Sequence, residues 1–438
     1  MKLINLKEAE FKEYALKHPQ NNFHQTVEWG ILKEKNGWKM QLLGLVEKNK
    51  IEAACMILKK KTTLGNIFYS PRGFLIDYKN YNLLKKFTEE ITKYGKKNNA
   101  VFIKVDPYVP YIKRDIDGNI KEEGLKNEQI IENLTSLNYK HKGFNLNFEN
   151  LQPRWMFTLD LKNKSLEDIM KNMESKTRQL IRKNIKRNLI TEELSDDNLS
   201  EFKKIMTHTS ERRNFIDRPF SYYKDMYEVL SKNNMIKFIV TKLDIKKYLK
   251  TLQDEKNSHE DSIKNKEEKI KNNAKINIDK TNKSINISKE KINALEKNIN
   301  DILKTQKEHG DFVVLGGILF IIYGDEVLSL FGGSYKEFMD YNSFYTTNYE
   351  MIKYAVENKY KRYNFYGISG DFNSKNEYYG LYDFKRGFGG EVTELIGEFD
   401  LIINKHKMFL YNLLLKSYSY LKKIKSIIRK GKVWSLRR

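Results

Sequence analysis

The sequence predicts an α/β protein built from two similar halves, with the second half split by a long helical arm. Three observations lead there. Short apolar runs of strand character alternate with helical stretches from the start of the chain to about residue 150, and the same order begins again at Trp155. Between Ile245 and His309 there is no Gly, no Pro and, after Tyr248, no aromatic residue, although the rest of the chain is rich in Tyr, Phe and Gly. Within that stretch Ile278, Ile285, Ile292 and Ile299 recur every seven residues, with Thr281, Ser288, Leu295 and Ile302 three residues further on. This is the spacing of a coiled-coil seam.

In the first half, residues 1–150, strands are expected at Gln41 to Val46, Ile51 to Leu58, Asn66 to Ser70 and Val101 to Val105, with a helix from Leu83 to Asn98 before the last. The second half comprises residues 151–244 and 310–400. It opens with a strand at Met156 to Leu161, a helix from Ser165, a helix around Leu199 to Ser210 and a strand at Ile236 to Thr241. After the arm come strands at Val313 to Tyr323 and Val327 to Phe331, a helix at Tyr345 to Asn358 and a strand at Arg362 to Tyr366. All six prolines lie at or before Pro219 and no glycine occurs between Gly143 and Gly310, so the centre of the chain tolerates helix throughout. At 438 residues and 40% apolar content, the chain is long enough for two or three cores.

The arm, residues 245–309, reads as an antiparallel pair of helices, each about 45 Å long if it holds roughly 30 residues. Its first half has a weaker seam through Leu249, Leu252, Ile263 and Ile270, broken by Lys256, His259 and Lys266. Asn272 and Asn273 offer the turn. The competing reading is a solvated insertion.

The single cysteine, Cys55, lies in an apolar run, which excludes a disulfide framework and suits a reducing compartment. Neither a signal peptide nor an apolar run of about 20 residues is visible, so the expected location is cytoplasmic. The formal charge of +23 implies anionic partners such as nucleic acid, nucleotides or lipid head groups. A bias toward Lys, Asn and Ile codons would also raise it. From Leu401 to Arg438 the tail has no acidic residue and carries Leu410, Leu413, Leu414, Leu421, Ile424 and Ile428 at helical spacing. Such a basic amphipathic helix either lies on an anionic membrane surface or packs its apolar stripe on the body.

One cysteine and seven scattered histidines supply no metal-ligand spacing, and no metal is expected. Walker A and GxGxxG patterns are missing. The nearest approach to an acyl-CoA pyrophosphate loop is Arg386-Gly387-Phe388-Gly389-Gly390-Glu391, whose last position would set a carboxylate beside the anion. Nothing beyond scattered Ser and His supports a hydrolase triad. What remains is a series of clusters at strand ends: His24 to Trp29 with Lys33 and Trp38; Tyr69-Ser70-Pro71-Arg72-Gly73; Val105-Asp106-Pro107-Tyr108; Arg218 to Tyr222; and Asn364-Phe365-Tyr366-Gly367 with Phe384-Lys385-Arg386-Gly387-Phe388. Taken singly, each is as readily a turn or a piece of core.

In this order, and with the inserted arm, these clusters resemble the Fem family of peptidoglycan interpeptide-bridge aminoacyltransferases, over nearly the whole chain. The arm makes the pattern similar to FemA-type members more than to the armless FemX type. The resemblance implies two GNAT-like domains, a coiled-coil arm like that of seryl-tRNA synthetase, and no metal or cofactor. It also implies transfer of an amino acid from aminoacyl-tRNA to the side-chain amine of a peptidoglycan precursor, either lipid II or UDP-MurNAc-pentapeptide. A homodimer or Fem-type heteromer and peripheral contact with the inner membrane leaflet are further implied partnerships.

The same resemblance assigns roles. Lys385, in the segment matching the family's F-K-x-G-F, is expected to hold the developing oxyanion, with Phe384 beside the substrate. Asp106 is expected to take the proton of the acceptor amine or to orient it. Lys33, Trp38, Arg72, Arg218 and Tyr222 are expected to hold the precursor and its phosphates. One position departs, since Val101 stands where FemX-type members have a tyrosine. The basic helix carrying Lys171, Lys176, Arg178, Arg182, Lys183, Lys186 and Arg187 is expected to meet tRNA phosphates. Two other classes stay open on the residues alone: an acyl-CoA-dependent GNAT-type N-acyltransferase, and a non-catalytic nucleic-acid-binding coiled-coil protein.

Overall fold

The computed structural model describes residues 1–272, 277–415 and 417. In chain order the strands are β1 (Lys2–Asn5), β2 (Lys39–Glu47), β3 (Lys50–Thr62), β4 (Gly65–Ser70), β5 (Ala100–Val105), β6 (Pro110–Lys113), β7 (Tyr139–His141) and β8 (Trp155–Asp160). They continue as β9 (Leu189–Glu193), β10 (Ile236–Asp244), β11 (Phe312–Tyr323), β12 (Glu326–Ser334), β13 (Arg362–Gly367), β14 (Glu391–Leu395) and β15 (Phe399–Ile402). They form a seven-stranded sheet in the order β1-β2-β3-β4-β5-β15-β7 and an eight-stranded sheet in the order β6-β14-β8-β13-β12-β11-β10-β9.

Each sheet contains one parallel pair, β4 with β5 and β12 with β13, and every other pairing is antiparallel. A parallel neighbour requires a crossover, and each pair has one helix for it. Tyr81–Lys97 bridges β4 to β5, and Ser343–Glu357 bridges β12 to β13. The first of these helices starts where the Asn80 side chain accepts a hydrogen bond from the Leu83 amide, and it buries Leu83, Leu84, Phe87 and Ile91 against the sheet. Both halves are therefore GNAT-like units: antiparallel strands leading to one parallel pair. In the second half the pair is joined only from Glu326 opposite Arg362 to Leu328 opposite Asn364, after which the strands part.

The sheets divide the chain differently from the expected bounds at residues 150 and 400. Pro110–Lys113 leaves the first half to pair with β14 in the second sheet, and Phe399–Ile402 returns to the first sheet between β5 and β7. Hydrophobic patterning marks strands but does not say which sheet takes them. Between the halves, Phe23, Val27, Trp29 and Leu32 pack in one buried cluster with Phe202, Tyr222, Phe238 and Leu319. Lys35 adds ion pairs of 2.8 Å to both Asp225 and Glu228.

The arm is two helices, Ile245–Lys271 and Ile278–His309. Its root is buried: Ile245, Tyr248, Leu252 and Ile302 pack with Leu243, Val313 and Leu315 of the second sheet. Further out, Ile285 and Ser288 are buried along the seam, while Ile278 near the tip is exposed. The polar interruptions of the first helix are met by the second. Lys256 pairs with Glu296 at 2.8 Å, Lys266 donates to the Ser284 hydroxyl at 2.9 Å, and Asn298 donates to the Tyr248 hydroxyl at 3.2 Å. Among the described residues, no helix is long and apolar enough to cross a membrane.

After β15, residues 405–415 are helical. Met408 packs on Val101 and Phe102 with Tyr411 beside them, whereas Leu410, Leu413 and Leu414 are exposed. The expected stripe thus faces away from the body over its described part. Leu421, Ile424 and Ile428 lie outside the described residues.

Candidate active site

The carboxyl ends of a parallel strand pair are open, because the chain must leave the sheet there, and they are the usual place for ligands in such sheets. In the first half, β4 runs into Ser70-Pro71-Arg72 and β5 into Asp106. Gln25 braces the first turn by donating to the Pro71 carbonyl at 2.7 Å while its own carbonyl accepts from the Met56 amide at 2.8 Å. Arg72 has a left-handed backbone, φ +55°, that a side-chain-bearing residue adopts only when held there. Asp106 holds it: one carboxylate oxygen accepts the Arg72 amide at 2.8 Å, and the other accepts the Tyr69 hydroxyl at 3.1 Å. The Arg72 guanidinium lies 4.0 Å from the same carboxylate and donates to the Pro153 carbonyl at 2.8 Å. Asp106 is buried, and burial outweighs the Arg72 charge, so its pKa rises to about 6.

Close to this turn, the helices Val27–Lys35 and Phe220–Leu230 pack on each other and present a basic, aromatic wall. The Lys33 ammonium sits 4.2 Å from the centre of the Trp29 ring and 5.6 Å from that of Tyr222, and the Arg218 guanidinium lies 5.2 Å from the Tyr222 ring. Burial, then the Arg218 charge, lowers Lys33 to about 8. His24 is held well below its usual range by burial, with Arg72 and Lys33 adding to the effect. Four basic groups, Lys33, Arg72, Arg218 and His24, thus share one partly desolvated wall. Among the described residues, neither Lys33 nor Arg218 has a carboxylate within ion-pair distance. Such a wall favours an anion with ring or sugar faces for the aromatics. Trp38 stands apart, with its ring under the Lys60 ammonium at 5.3 Å; Trp29 holds the place beside Lys33.

Lys385, near the end of helix Tyr379–Arg386, is buried and donates to the Gly367 carbonyl at 2.6 Å. With no carboxylate beside it, burial alone lowers its pKa to about 7. Tyr366, just before that carbonyl, also has a left-handed backbone, φ +64°. Its hydroxyl donates to Gln152 at 2.6 Å, and its phenol feels the charges of Arg72 and Asp106. Tyr366 and Gly367 therefore link the surroundings of Asp106 to those of Lys385. Phe384 faces the core, packed on Tyr345 and Phe388 at 5.0 and 5.5 Å between ring centres. A buried network ties the turn after Asp106 to the second sheet: Tyr108, Arg362 and Asn364 all donate to Glu326, at 3.0, 2.6 and 3.2 Å. The tyrosine-bearing strand-end motifs hinted at Tyr108 and Tyr366. Gln152 and Glu326 carried no sequence signal, because their partners are more than 35 residues away.

The glycine-rich loop after Lys385 is closed. Arg386 is paired at 2.8 Å with both Asp117 and Glu174. A Cβ on Gly387, Gly389 or Gly390 would run into the Thr177 hydroxyl, the Asn172 carbonyl or the Thr158 carbonyl. These glycines allow close packing on the chain itself and leave no cradle for a pyrophosphate.

The basic helix, Ser175–Lys186, buries Thr177, Ile181 and Asn184, and Asn184 donates to the Thr346 hydroxyl at 3.1 Å. Lys176, Arg182, Lys183 and Lys186 are exposed and, among the described residues, have no carboxylate partner. The other three are engaged: Lys171 with Glu167 at 3.1 Å, Arg178 with the Lys171 and Met173 carbonyls, and Arg187 with the Asp340 carbonyl at 3.2 Å and the Tyr341 ring.

Two GNAT-like units in one chain, with Tyr366 and Gly367 lying between the surroundings of a buried carboxylate and those of a buried lysine, are the architecture of a tandem acyltransferase. Residues 6–416 match the profile of the FemAB family. Over 436 residues the chain is 32% identical to Aminoacyltransferase FemA of Staphylococcus epidermidis strain ATCC 35984, a match spanning 97% of this chain and 100% of that protein. Aminoacyltransferase FemA of Staphylococcus aureus strain MRSA252 is 31% identical over 431 residues, spanning 98% and 100%. The crystal structure of FemX superposes with a TM-score of 0.77 at 28% identity, covering 94% of this chain and 99% of that one. The chain belongs to the FemAB family, and it is an aminoacyltransferase.

Proposed function

We propose that the protein transfers Gly, Ala or Ser from aminoacyl-tRNA to the stem-peptide side-chain amine of a peptidoglycan precursor, lipid II or UDP-MurNAc-pentapeptide, in the course of building the interpeptide bridge. The observation that carries this reading is the cluster in which Lys33 and Arg218, without a carboxylate partner among the described residues, meet the Trp29 and Tyr222 rings close to Arg72 and Asp106. In this reading Lys33, Arg72 and Arg218 hold the precursor's phosphates, and Tyr222 and Trp29 flank its ring or sugar. Asp106, mostly ionised at neutral pH with a pKa near 6, takes the proton of the acceptor ammonium. The freed amine attacks the ester carbonyl of the aminoacyl-tRNA. The tetrahedral oxyanion forms beside Lys385, whose ammonium regains its proton affinity as negative charge develops there. Asp106 passes the first proton to solvent and takes the second, which the attacking nitrogen loses once its bond to carbon has formed; collapse then expels the ribose oxygen of the tRNA, which leaves with that second proton.

The exposed cations Lys176, Arg182, Lys183 and Lys186 suit tRNA phosphates, and the enzyme works in the cytoplasm at the inner face of the plasma membrane. Use of acyl-CoA is disfavoured by the closed glycine loop. Incubation with charged tRNA and either precursor, followed by mass spectrometry, tests the reading: the product should gain one Gly, Ala or Ser residue. An unmodified precursor with every charged tRNA, together with amine acylation from acyl-CoA, would replace it.

A further inference from the structure

From the helix that follows β15 we infer that this protein docks on anionic bilayers through a C-terminal face, with Leu410, Leu413 and Leu414 entering the lipid. The helix over residues 405–415 is apolar on two sides. Its inner side is already satisfied, with Met408 and Tyr411 on Val101 and Phe102. Its outer side exposes Phe409 at 63%, Leu410 at 46%, Leu413 at 46% and Leu414 at 53%. Residues spaced i, i+1, i+4 and i+5 share one side of a helix, so this is a continuous apolar patch and not scattered exposure.

Charge decides what covers it. Residues 401–438 contain eleven Lys or Arg and no Asp or Glu, close to half of the net +23. A second copy would carry the same excess of eleven cations in its own tail and be repelled, and a nucleic acid has no use for four apolar side chains. A bilayer with anionic head groups satisfies both features, since the leucines enter the acyl boundary while the lysines stay among the head groups. The position leaves the Asp106 end of the sheet free. β15 runs antiparallel to β5, with Ile402 opposite Phe102, so the helix leaves the sheet at the end away from Asp106, roughly 13 Å along the strand.

The inference deepens the membrane placement proposed above and rests on it only for location. Empty vesicles contain neither tRNA nor precursor, so failure here leaves the transferase reading standing. Sedimentation of the full chain with phosphatidylglycerol-containing vesicles, with phosphatidylcholine vesicles alone, and without lipid tests it. Binding is expected to the anionic vesicles only, to weaken with salt, and to fall roughly tenfold or more in Leu410→Glu/Leu413→Glu/Leu414→Glu. Lys422→Gln/Lys423→Gln/Lys425→Gln, which keeps every apolar residue of the chain, should weaken it through charge. Equal binding of parent and triple-Glu variant to anionic vesicles would overturn the inference. So would a dimer of the parent chain that the triple-Glu variant abolishes, or tRNA binding lost in the Lys variant while vesicle binding persists.

Discussion

The two parallel strand pairs end in opposite chemistry. At the end of β4 and β5 sits a buried acid, Asp106, ringed by donors: the Arg72 amide, the Tyr69 hydroxyl and a guanidinium 4.0 Å away. Beyond the end of β13 sits a buried base, Lys385, with one carbonyl for company. Burial disfavours charge in both, raising the acid to about 6 and lowering the lysine to about 7, so two groups ordinarily far apart on the pH scale nearly meet. The shared fold supplies the same dry rim twice. What the rim does depends on the side chain placed on it.

The sharpest way to break that comparison is to remove one member. Lys385→Met should lower turnover by roughly a hundred- to a thousandfold while precursor binding persists. Because the buried ammonium costs stability, the variant should melt no lower than the parent. Its advantage should be largest below about pH 7, where the folded lysine is charged, and should shrink as pH rises toward 10.5 and the unfolded lysine also loses its proton. Near-normal turnover would remove Lys385 from the mechanism.

Asp106→Asn should lower turnover by roughly a hundredfold or more. The raised pKa means that the folded protein is penalised for ionising Asp106 above about pH 6, whereas below pH 3.8 the group is protonated in both states and the penalty vanishes. The amide should therefore stabilise the fold at pH 7 by up to about 3 kcal/mol, with no gain near pH 3. If both groups act as proposed, the parent's rate should rise with pH through about 6 and fall through about 7, and Asp106→Asn should erase the rising limb. A parent profile flat from pH 5 to 8 would separate the pair from the chemistry.

Smaller effects sharpen the contrast between the walls. Arg218→Ala should weaken precursor binding by calorimetry by roughly tenfold, the worth of a charge-assisted contact, without changing tRNA affinity. Replacing Lys176, Arg182, Lys183 and Lys186 by Gln should do the reverse, flattening the salt dependence of tRNA binding by about three in the log–log slope and leaving precursor affinity alone. Loss of both affinities in either variant would mean that the two surfaces are not separate.

Much of the fold was legible along the chain. The expected helix Leu83 to Asn98 appears as Tyr81–Lys97, and the strand Val101 to Val105 as Ala100–Val105, because their apolar periodicity and caps are local. The site was legible only in part. Lys33, Arg72, Asp106, Arg218 and Tyr222 lie close together, while the Trp38 ring sits under Lys60 and Phe384 packs on Tyr345 and Phe388; Trp29 is the indole beside Lys33, and Tyr366 lies near Arg72. An aromatic residue in a motif is equally suited to a core and to a wall, and the choice rests on which neighbour arrives from the other half.

By itself the sequence determined the two α/β halves, the heptad arm from Ile245 to His309 and the basic tail, since periodicity and charge are written in neighbouring residues. The tertiary structure alone decided that β6 and β15 change sheets, that Glu326 fastens the Asp106 turn to the second half, and that the Arg386 loop is closed. These features depend on partners distant in sequence, and burial in their shared interior is what moves Asp106 and Lys385 toward neutral pH.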